Sequence, residues 1–213
     1  ISTDKAVRPA SVMGATKRLA ELHLAGFQLE RPPPMRLKSV RFGNVMGSQG
    51  SVVPRFETQI DAGGPLEVTH RDMERFFMSP DEAVGLILTV TAHDDPGADK
   101  VGAYFMEMGD PVSILELGKR LIRASGRDIE IEITGLRPGE KLKEQMFDAY
   151  ESAVATDLPN IFRVAPMAAD AYVTSADVAH LESMARAMDD AVVRQRVFAH
   201  LDERLHRQER ATG

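Results

Sequence analysis

Segments with helical periodicity alternate with short apolar segments along this chain of 213 residues. Between positions 11 and 30, Val12, Leu19 and Phe27 recur at near-helical spacing, which predicts a helix, and a run of three prolines then ends it. An apolar segment at 37–42 follows and predicts a short strand. Because helices that alternate with strands usually connect parallel neighbours, the sequence predicts an α/β fold.

The rest of the chain continues this alternation. The Ser-Pro-Asp-Glu segment at 79–82 predicts a helix start, with serine as the N-cap and glutamate closing a capping box. Residues 128–134 alternate charged and β-branched side chains, as in a strand with one buried face. We expect a further helix from Lys141 to Tyr150 and a helical C-terminal segment from about 174 to 207.

Composition excludes several classes of function. The chain has no cysteine, which removes disulfide bonds, thiolate zinc sites and cysteine nucleophiles. Its six histidines show no metal-ligand spacing, so no metal site is predicted. A formal net charge of −6 argues against a nucleic-acid partner. No apolar run approaches the roughly 18 residues of a membrane-spanning helix, so we expect no membrane segment in this chain.

Near the start of the chain, an acid and an amine stand side by side. Asp4 and Lys5 follow Thr3 just before the first helix, and such a pair could move protons in both directions. Taken alone, these residues fit a solvated turn better. Met13 and Lys17 are four residues apart and therefore lie on one helical face.

Four later segments carry polar side chains and glycines next to predicted strands and turns. Two of them are Arg-Phe-Gly-Asn-Val at 41–45 and a glycine-rich loop at 47–54, which is not a GxGxxG dinucleotide fingerprint. The third is the extended piece at 66–69 followed by Arg75. The fourth is Arg-Pro-Gly-Glu-Lys at 137–141, where the arginine offers a planar fork of donors suited to a diphosphate and Pro-Gly fixes a turn.

In this order, the segments resemble a known family over roughly residues 1–163. Ser-Thr-Asp-Lys-Ala at 2–6 and Met-Gly-Ala-Thr-Lys at 13–17 are similar to the active-site stretch of extended short-chain dehydrogenases, most of which carry Tyr-x-x-x-Lys. Met13 replaces that tyrosine here. This departure resembles the large, membrane-anchored nucleotide-sugar 4,6-dehydratases of capsule and lipopolysaccharide synthesis (the CapD-like polysaccharide biosynthesis family), in which neighbouring Asp and Lys take over the acid–base work.

The resemblance implies a catalytic role for residues near the start of the chain. Thr3 would hydrogen-bond near the 4-hydroxyl of the sugar, and Lys17 would bind the nicotinamide ribose. Asp4 would help the 6-hydroxyl leave, and Lys5 would remove the proton at carbon 5. Met13 can neither donate nor accept that proton.

The resemblance also implies a cofactor, a substrate and an oligomer. Lys17, Phe42 and Gly43 would contact NAD or NADP, most of whose binding site would lie outside this chain. A UDP-sugar would be the substrate, and a homo-oligomer is expected. The implied substrate-binding residues are Asn44, Ser51, Val52, Val53, Leu66, Val68, Thr69, Arg75, Arg137 and Glu140.

The same resemblance predicts the organisation of the chain. Residues 1–45 would end a Rossmann-type dinucleotide-binding domain, 46–164 would mainly bind the UDP-sugar, and 165–213 would form a helical tail. The chain starts at Ile1 and lacks the glycine-rich cofactor loop, so we expect the C-terminal part of a longer cytoplasmic enzyme, inactive alone. The parent protein would be anchored at the cytoplasmic face of the inner membrane.

The leading functional hypothesis is a UDP-N-acetylhexosamine 4,6-dehydratase for capsule or lipopolysaccharide sugars. A UDP-sugar 4-epimerase of the same superfamily is the first alternative, although it needs chemistry at carbon 4 only. A non-catalytic module that binds a UDP-sugar is the second alternative, and a purely structural α/β domain is the third.

Overall fold

The computed structural model describes residues 1–30, 36–48, 50–94, 102–149, 151–165 and 171–212. The helices are α1 Val12–Glu30, α2 Val52–Asp61, α3 Pro80–Ala92, α4 Ile114–Ser125, α5 Ser175–Ala187 and α6 Asp190–Thr212, and a 3-10 turn covers Asp4–Ala6. The strands are β1 Ser2–Thr3, β2 Ser39–Phe42, β3 Asn44–Val45, β4 Leu66–Val68, β5 Glu74–Arg75, β6 Phe77–Met78, β7 Ala103–Met106, β8 Val112–Ser113, β9 Ile131–Ile133, β10 Ala153–Ala155 and β11 Ile161–Val164.

A five-stranded sheet forms the centre of the molecule, in the order β1-β2-β7-β11-β10. The first three strands are parallel, with Thr3 opposite Phe42 and Val40 opposite Tyr104, and β11 and β10 continue the sheet antiparallel. Helix α1 connects β1 to β2, and α3 precedes β7 in the chain. The predicted α/β fold with a parallel sheet is confirmed.

Two apolar cores hold the site in place. In the first, Val40 and Tyr104 of the sheet pack with Leu86 of α3. In the second, Phe56 of α2 and Leu66 of β4 pack together with residues of α4 and β9, and both side chains are almost completely buried. Strands β4 and β9 are parallel to each other, so the segment at 128–134 pairs outside the main sheet.

The C-terminal segment folds as two helices that cover α1. Leu22 of α1 packs with Val197 and Leu201 of α6. The predicted helical run is interrupted because the Asp189 carboxylate accepts hydrogen bonds from the backbone N–H groups of Ala191 and Val192, at 3.0 Å each, and so starts a new helix.

The helix predicted from Lys141 to Tyr150 is wrong for 141–149, which form turns and irregular backbone, while Tyr150 lies outside the described residues. The carbonyl oxygen of Leu142 accepts from the backbone N–H of Glu74 at 3.0 Å, and those of Lys141 and Leu142 accept from the Arg75 guanidinium. These tertiary bonds use carbonyl groups that a helix would need for its own ladder. No helix in the described ranges is long and apolar enough to cross a membrane.

Candidate active site

A cleft of about 540 Å³ opens where β1 and β2 end. In open α/β sheets, ligands bind beyond the carboxyl ends of the parallel strands, and this cleft has that position. Helix α2, strand β4 and the segment around residue 140 form its other walls. Of the residues singled out from the sequence, the cleft is lined by Thr3, Lys5, Met13, Phe42, Gly43, Asn44, Ser51, Val52, Val68, Thr69, Arg75 and Glu140.

Lys5 of the acid–amine pair lines this cleft, whereas Asp4 is buried behind the lining and is hydrogen-bonded to Lys5. The Lys5 ammonium donates to Asp4 Oδ1 at 3.0 Å and to Asn44 Oδ1 at 3.0 Å, and the Thr3 hydroxyl donates to Asp4 Oδ1 at 2.9 Å. Asp4 is fully buried, and its Oδ2 has no hydrogen-bond partner in the described part of the chain. The Lys5 nitrogen is therefore shared between Asp4, just after β1, and Asn44, the first residue of β3.

Helix α1 approaches this pair closely. A side chain at Gly14 would place its Cβ 2.3 Å from the carbonyl oxygen of Lys5, so only glycine permits the contact. Met13 lines the cleft and is 48% exposed. Lys17, one turn later, is exposed and donates to the carbonyl oxygen of Ile1 at 3.3 Å. Its ammonium does not reach the Asp4–Lys5 pair within hydrogen-bond distance.

The two ends of the cleft differ in polarity. Around α2 and β4 the lining is largely apolar, with Phe56, Val68 and Ile114 at its base. Arg55 of α2 and Glu67 of β4 form an ion pair on this wall, each a little over a third exposed. Sequence reasoning missed this pair because its members lie on separate elements and no local pattern marks them.

Three residues implied as substrate ligands do not line the cleft, and one of them, Arg137, lines an adjoining recess instead. Leu66 is completely buried in the core between α2 and α4. Val53 is half-buried on the first turn of α2, between residues that do line the cleft. Their chain neighbours Glu67 and Val52 do line the cleft.

At the opposite end, Arg75 bonds mainly to the backbone. Its guanidinium donates to the carbonyl oxygens of Glu74 at 2.7 Å, Leu142 at 3.0 Å and Lys141 at 2.8 Å. The side chain is 8% exposed and lies 4.0 Å from the Glu140 carboxylate. Arg75 therefore holds the 140–142 backbone against β5, and one edge of it reaches the cleft.

The Arg137–Lys141 turn lies beside this arginine. Glu140 donates its N–H to the carbonyl oxygen of Arg137 at 3.0 Å, and its carboxylate accepts from the Arg137 N–H at 3.2 Å. Arg137 itself is exposed and lines an adjoining recess of about 310 Å³, which shares Lys5, Arg75 and Glu140 with the main cleft. Lys141 and Glu144 of this recess form an ion pair with each other, and the remaining cations outnumber Glu140, so this end of the site favours an anion.

Behind the cleft, β2 is anchored by a buried ion network. Arg41 donates to both carboxylate oxygens of Glu21 at 2.7–2.9 Å and to both of Glu151 at 2.8 Å. Arg18 pairs with the same two acids at 2.9 and 2.6 Å. Burial alone would raise the pKa of each carboxyl, but the guanidinium groups of Arg41 and Arg18 hold the pKa of Glu21 and of Glu151 below its usual range. The network fixes β2, which ends two residues before Asn44.

The described residues contain no group of three or more His, Asp and Glu side chains placed to hold a metal ion. The cleft presents the amine of Lys5 and the hydroxyl of Thr3, both hydrogen-bonded to the acid Asp4 behind them, between a cationic end and a more apolar end.

Comparison with known proteins agrees with this architecture. Solved structures of sugar-nucleotide epimerases and dehydratases that are 20–21% identical to this chain share its fold. The fold is thus that of the Rossmann-type extended short-chain dehydrogenases, as predicted. Residues 1–166 match the family described as polysaccharide biosynthesis protein, and the chain belongs to that family.

The chain is also similar to individual proteins of known sequence or structure. It is 48% identical over 154 residues to the capsular polysaccharide biosynthesis protein CapD of Staphylococcus aureus, covering 71% of this chain and 25% of CapD. It is 36% identical to a UDP-glucose 4-epimerase of Rickettsia canadensis, over 77% of this chain and 47% of that enzyme. The X-ray structure of Pen from Bacillus thuringiensis superposes with a TM-score of 0.66 at 32% identity, covering 78% of this chain and 51% of Pen. The chain thus spans between a quarter and a half of the length of these proteins.

Proposed function

We propose that the chain forms the substrate-binding part of a UDP-N-acetylhexosamine 4,6-dehydratase that uses a nicotinamide cofactor. The observation that carries the proposal is the buried Asp4, which shares the Lys5 ammonium with Asn44 in a cleft where Met13 faces the same space. A tyrosine-type acid–base is absent from this position of α1, so the neighbouring pair would have to move the protons.

The polarity of the cleft supports a sugar nucleotide as the ligand. The base would lie against the apolar wall of α2 and β4, and the diphosphate would lie at the cationic end beside Arg137. Glu140, with its carboxylate at the border of the two recesses, would accept the ribose hydroxyls. The sugar would then reach Thr3 and Lys5 at the end of β1.

The residues present also fit one end of the cofactor. The exposed Lys17 ammonium lies one turn from Met13, and the backbone at Phe42 and Gly43 borders the same cleft, so these groups would hold the nicotinamide ribose. When bound, the cofactor would supply the acceptor for the hydride from carbon 4 and the donor of a hydride to carbon 6.

One proton transfer inside the pair prepares both acid and base. Moving a proton from the Lys5 ammonium to Asp4 across 3.0 Å leaves an amine and a carboxylic acid side by side. The ketone at carbon 4 acidifies the proton at carbon 5, which the Lys5 amine accepts, while Asp4 gives its proton to the departing 6-hydroxyl and water leaves. The proton of the 4-hydroxyl leaves to solvent when carbon 4 is oxidised. After the elimination, Lys5 returns a proton to carbon 5 and Asp4 takes up a proton from solvent, which restores the starting pair.

A 4-epimerase is the second candidate, supported by the similarity to the Rickettsia canadensis enzyme. Epimerisation needs proton transfer only at the 4-hydroxyl, so it makes no use of an acid for the 6-hydroxyl. The side-by-side acid and amine, together with Met13 in the cleft, favour the dehydratase.

Product analysis with the complete enzyme separates the two candidates. Incubation with UDP-N-acetylglucosamine should give a 4-keto-6-deoxy sugar with loss of water, detected by mass spectrometry. The Lys5→Ala variant should bind the substrate and form no such product. An epimer without loss of water would support the second candidate, and substantial dehydration by Lys5→Ala would refute the role of Lys5.

Calorimetric titration of the chain tests the nucleotide site separately. UDP and UDP-N-acetylglucosamine should bind, whereas free N-acetylglucosamine should not. Arg137→Ala should weaken UDP binding by about 1.5–3 kcal/mol, the scale of a charge-assisted hydrogen bond. Arg123→Ala, an exposed arginine of α4, is the matched control and should leave UDP affinity unchanged. Equal affinity of Arg137→Ala and wild type would remove Arg137 from the site.

A further inference from the structure

The Arg137–Lys141 turn packs directly on the backbone that follows the Asp4–Lys5 pair. Gly139 has a φ of +82°, and a Cβ there would lie 2.8 Å from the carbonyl oxygen of Ala10. Glycine is therefore required twice, for the left-handed backbone and for the close approach. The turn that carries Arg137 and Glu140 thus touches the segment between Lys5 and α1.

A single hydrogen bond ties the two segments together more specifically. The Lys141 ammonium donates to the carbonyl oxygen of Val7 at 2.9 Å. Val7 is 1% exposed and caps the 3-10 turn Asp4–Ala6, because its N–H donates to the carbonyl oxygen of Asp4 at 3.1 Å. Lys141 therefore holds the residue that ends the catalytic turn, while its own backbone is held by Arg75.

Two further contacts stiffen this connection. The Lys141 ammonium also forms an ion pair at 2.6 Å with Glu144, whose side chain is 4% exposed. One residue beyond Val7, Arg8 adopts a left-handed φ of +43° and pairs with the buried Asp148 at 2.8 Å. Glu144 and Asp148 both belong to the irregular segment that follows the turn. This segment therefore packs against the residues between Lys5 and α1.

From this geometry we propose that Lys141 is a positioning residue, which transmits occupancy of the diphosphate end to the Asp4–Lys5 pair. The inference rests on the proposed function. A nucleotide held by Arg137 and Glu140 fixes the turn, the turn fixes Lys141, and Lys141 fixes the carbonyl group of Val7. The pair is thereby ordered when the nucleotide is bound, and misplacement of a reacting group by about 1 Å can cost about 100-fold in rate.

The test compares three variants of the complete enzyme. Lys141→Met combined with Glu144→Gln removes the tether without leaving a buried unpaired carboxylate. Glu144→Gln alone removes the ion pair and keeps the donor to Val7, and Lys141→Arg keeps a cationic donor. Each variant is measured for kcat, for UDP affinity by calorimetry, and for hydrogen exchange of residues 2–12 with and without UDP.

The double variant should lose about 10- to 100-fold in kcat while its UDP affinity stays close to wild type. UDP should slow exchange of residues 2–12 in wild type, in Glu144→Gln and in Lys141→Arg, but not in the double variant. A purely structural role for Lys141 would lower stability without removing this UDP-dependent protection, so a melting curve of each variant accompanies the assay.

Three outcomes would overturn the inference. Wild-type kcat in the double variant would show that the tether is irrelevant. A parallel loss of UDP affinity and kcat would make Lys141 a ligand of the nucleotide. If UDP still slows exchange of residues 2–12 in the double variant, nucleotide binding orders this segment through contacts other than Lys141. If wild type binds UDP but forms no dehydration product, the proposed function is wrong, while the hydrogen-exchange experiment still tests the coupling through Lys141. If wild type does not bind UDP, the proposed function and the coupling are both wrong.

Discussion

Replacing Arg41 by methionine tests whether the buried ion network behind the cleft stabilises the fold. The guanidinium of Arg41 is 1% exposed and donates to both oxygens of Glu21, both oxygens of Glu151 and the carbonyl oxygen of Met146. These bonds connect β2 to α1 and to residues 146 and 151. Methionine keeps much of the apolar stem and removes all of these bonds. The variant therefore measures what the guanidinium group contributes to stability.

The expected loss follows from what the substitution leaves behind. Removing one partner of a buried ion pair costs about 3–5 kcal/mol, because the remaining charge stays buried. Two carboxylates are affected here, but Arg18 still pairs with both, at 2.9 Å to Glu21 and 2.6 Å to Glu151. We therefore expect Arg41→Met to lower the free energy of unfolding by about 3–5 kcal/mol, a large share of the 5–15 kcal/mol typical of domains.

Urea unfolding of the chain at pH 7, followed by circular dichroism, measures this loss by linear extrapolation. Lys143→Met, which removes a partly exposed ion pair with Glu74, is the control and should cost less than about 1 kcal/mol. Adding Glu21→Gln and Glu151→Gln to Arg41→Met should recover part of the loss, since neutral amides bury more cheaply than carboxylates. A loss below about 1 kcal/mol for Arg41→Met would refute the reasoning.

Two further predictions concern acid and glycine. The pKa of Glu21 and of Glu151 lies below the ordinary 4.5 in the folded chain. Their contribution to stability is therefore complete above pH 4.5 and is lost as the pH falls below it. Urea titrations from pH 7 to 3 should show this loss, and a free energy of unfolding that does not change with pH would contradict it. Gly102→Ala would place a Cβ 2.2 Å from the carbonyl oxygen of Val164 and should cost about 1–3 kcal/mol, whereas Gly85→Ala, in open space on α3, should stabilise the chain by up to about 1 kcal/mol; equal melting temperatures for the two variants would contradict the packing argument.

Local pattern predicted most of the regular elements. The helix expected at 11–30 forms as Val12–Glu30, and the Ser-Pro-Asp-Glu segment starts α3 with both hydrogen bonds of a capping box. The helix expected from Lys141 did not form, because Arg75 and Glu74 take the carbonyl groups of 141 and 142. Propensity is a weak guide where a distant side chain competes for the backbone.

The sequence predicted most residues of the candidate site but not how their side chains are arranged. Resemblance to a family named Thr3, Lys5, Asn44 and Glu140, and the fold brings all four to one cleft. It also named Leu66, which lies in the core, and it missed Arg55, which lies on the cleft wall.

The sequence by itself determined most of the local elements and the residue types available for chemistry, since periodicity and helix caps are properties of neighbouring residues. Only the tertiary structure decided which groups meet. Lys5 donates a hydrogen bond to Asn44, 39 residues away in the sequence. Arg41 donates to Glu151, 110 residues away, and Lys141 donates to Val7, 134 residues away. Such contacts depend on how helices and strands pack around a common core, and no local spacing in the chain encodes that packing.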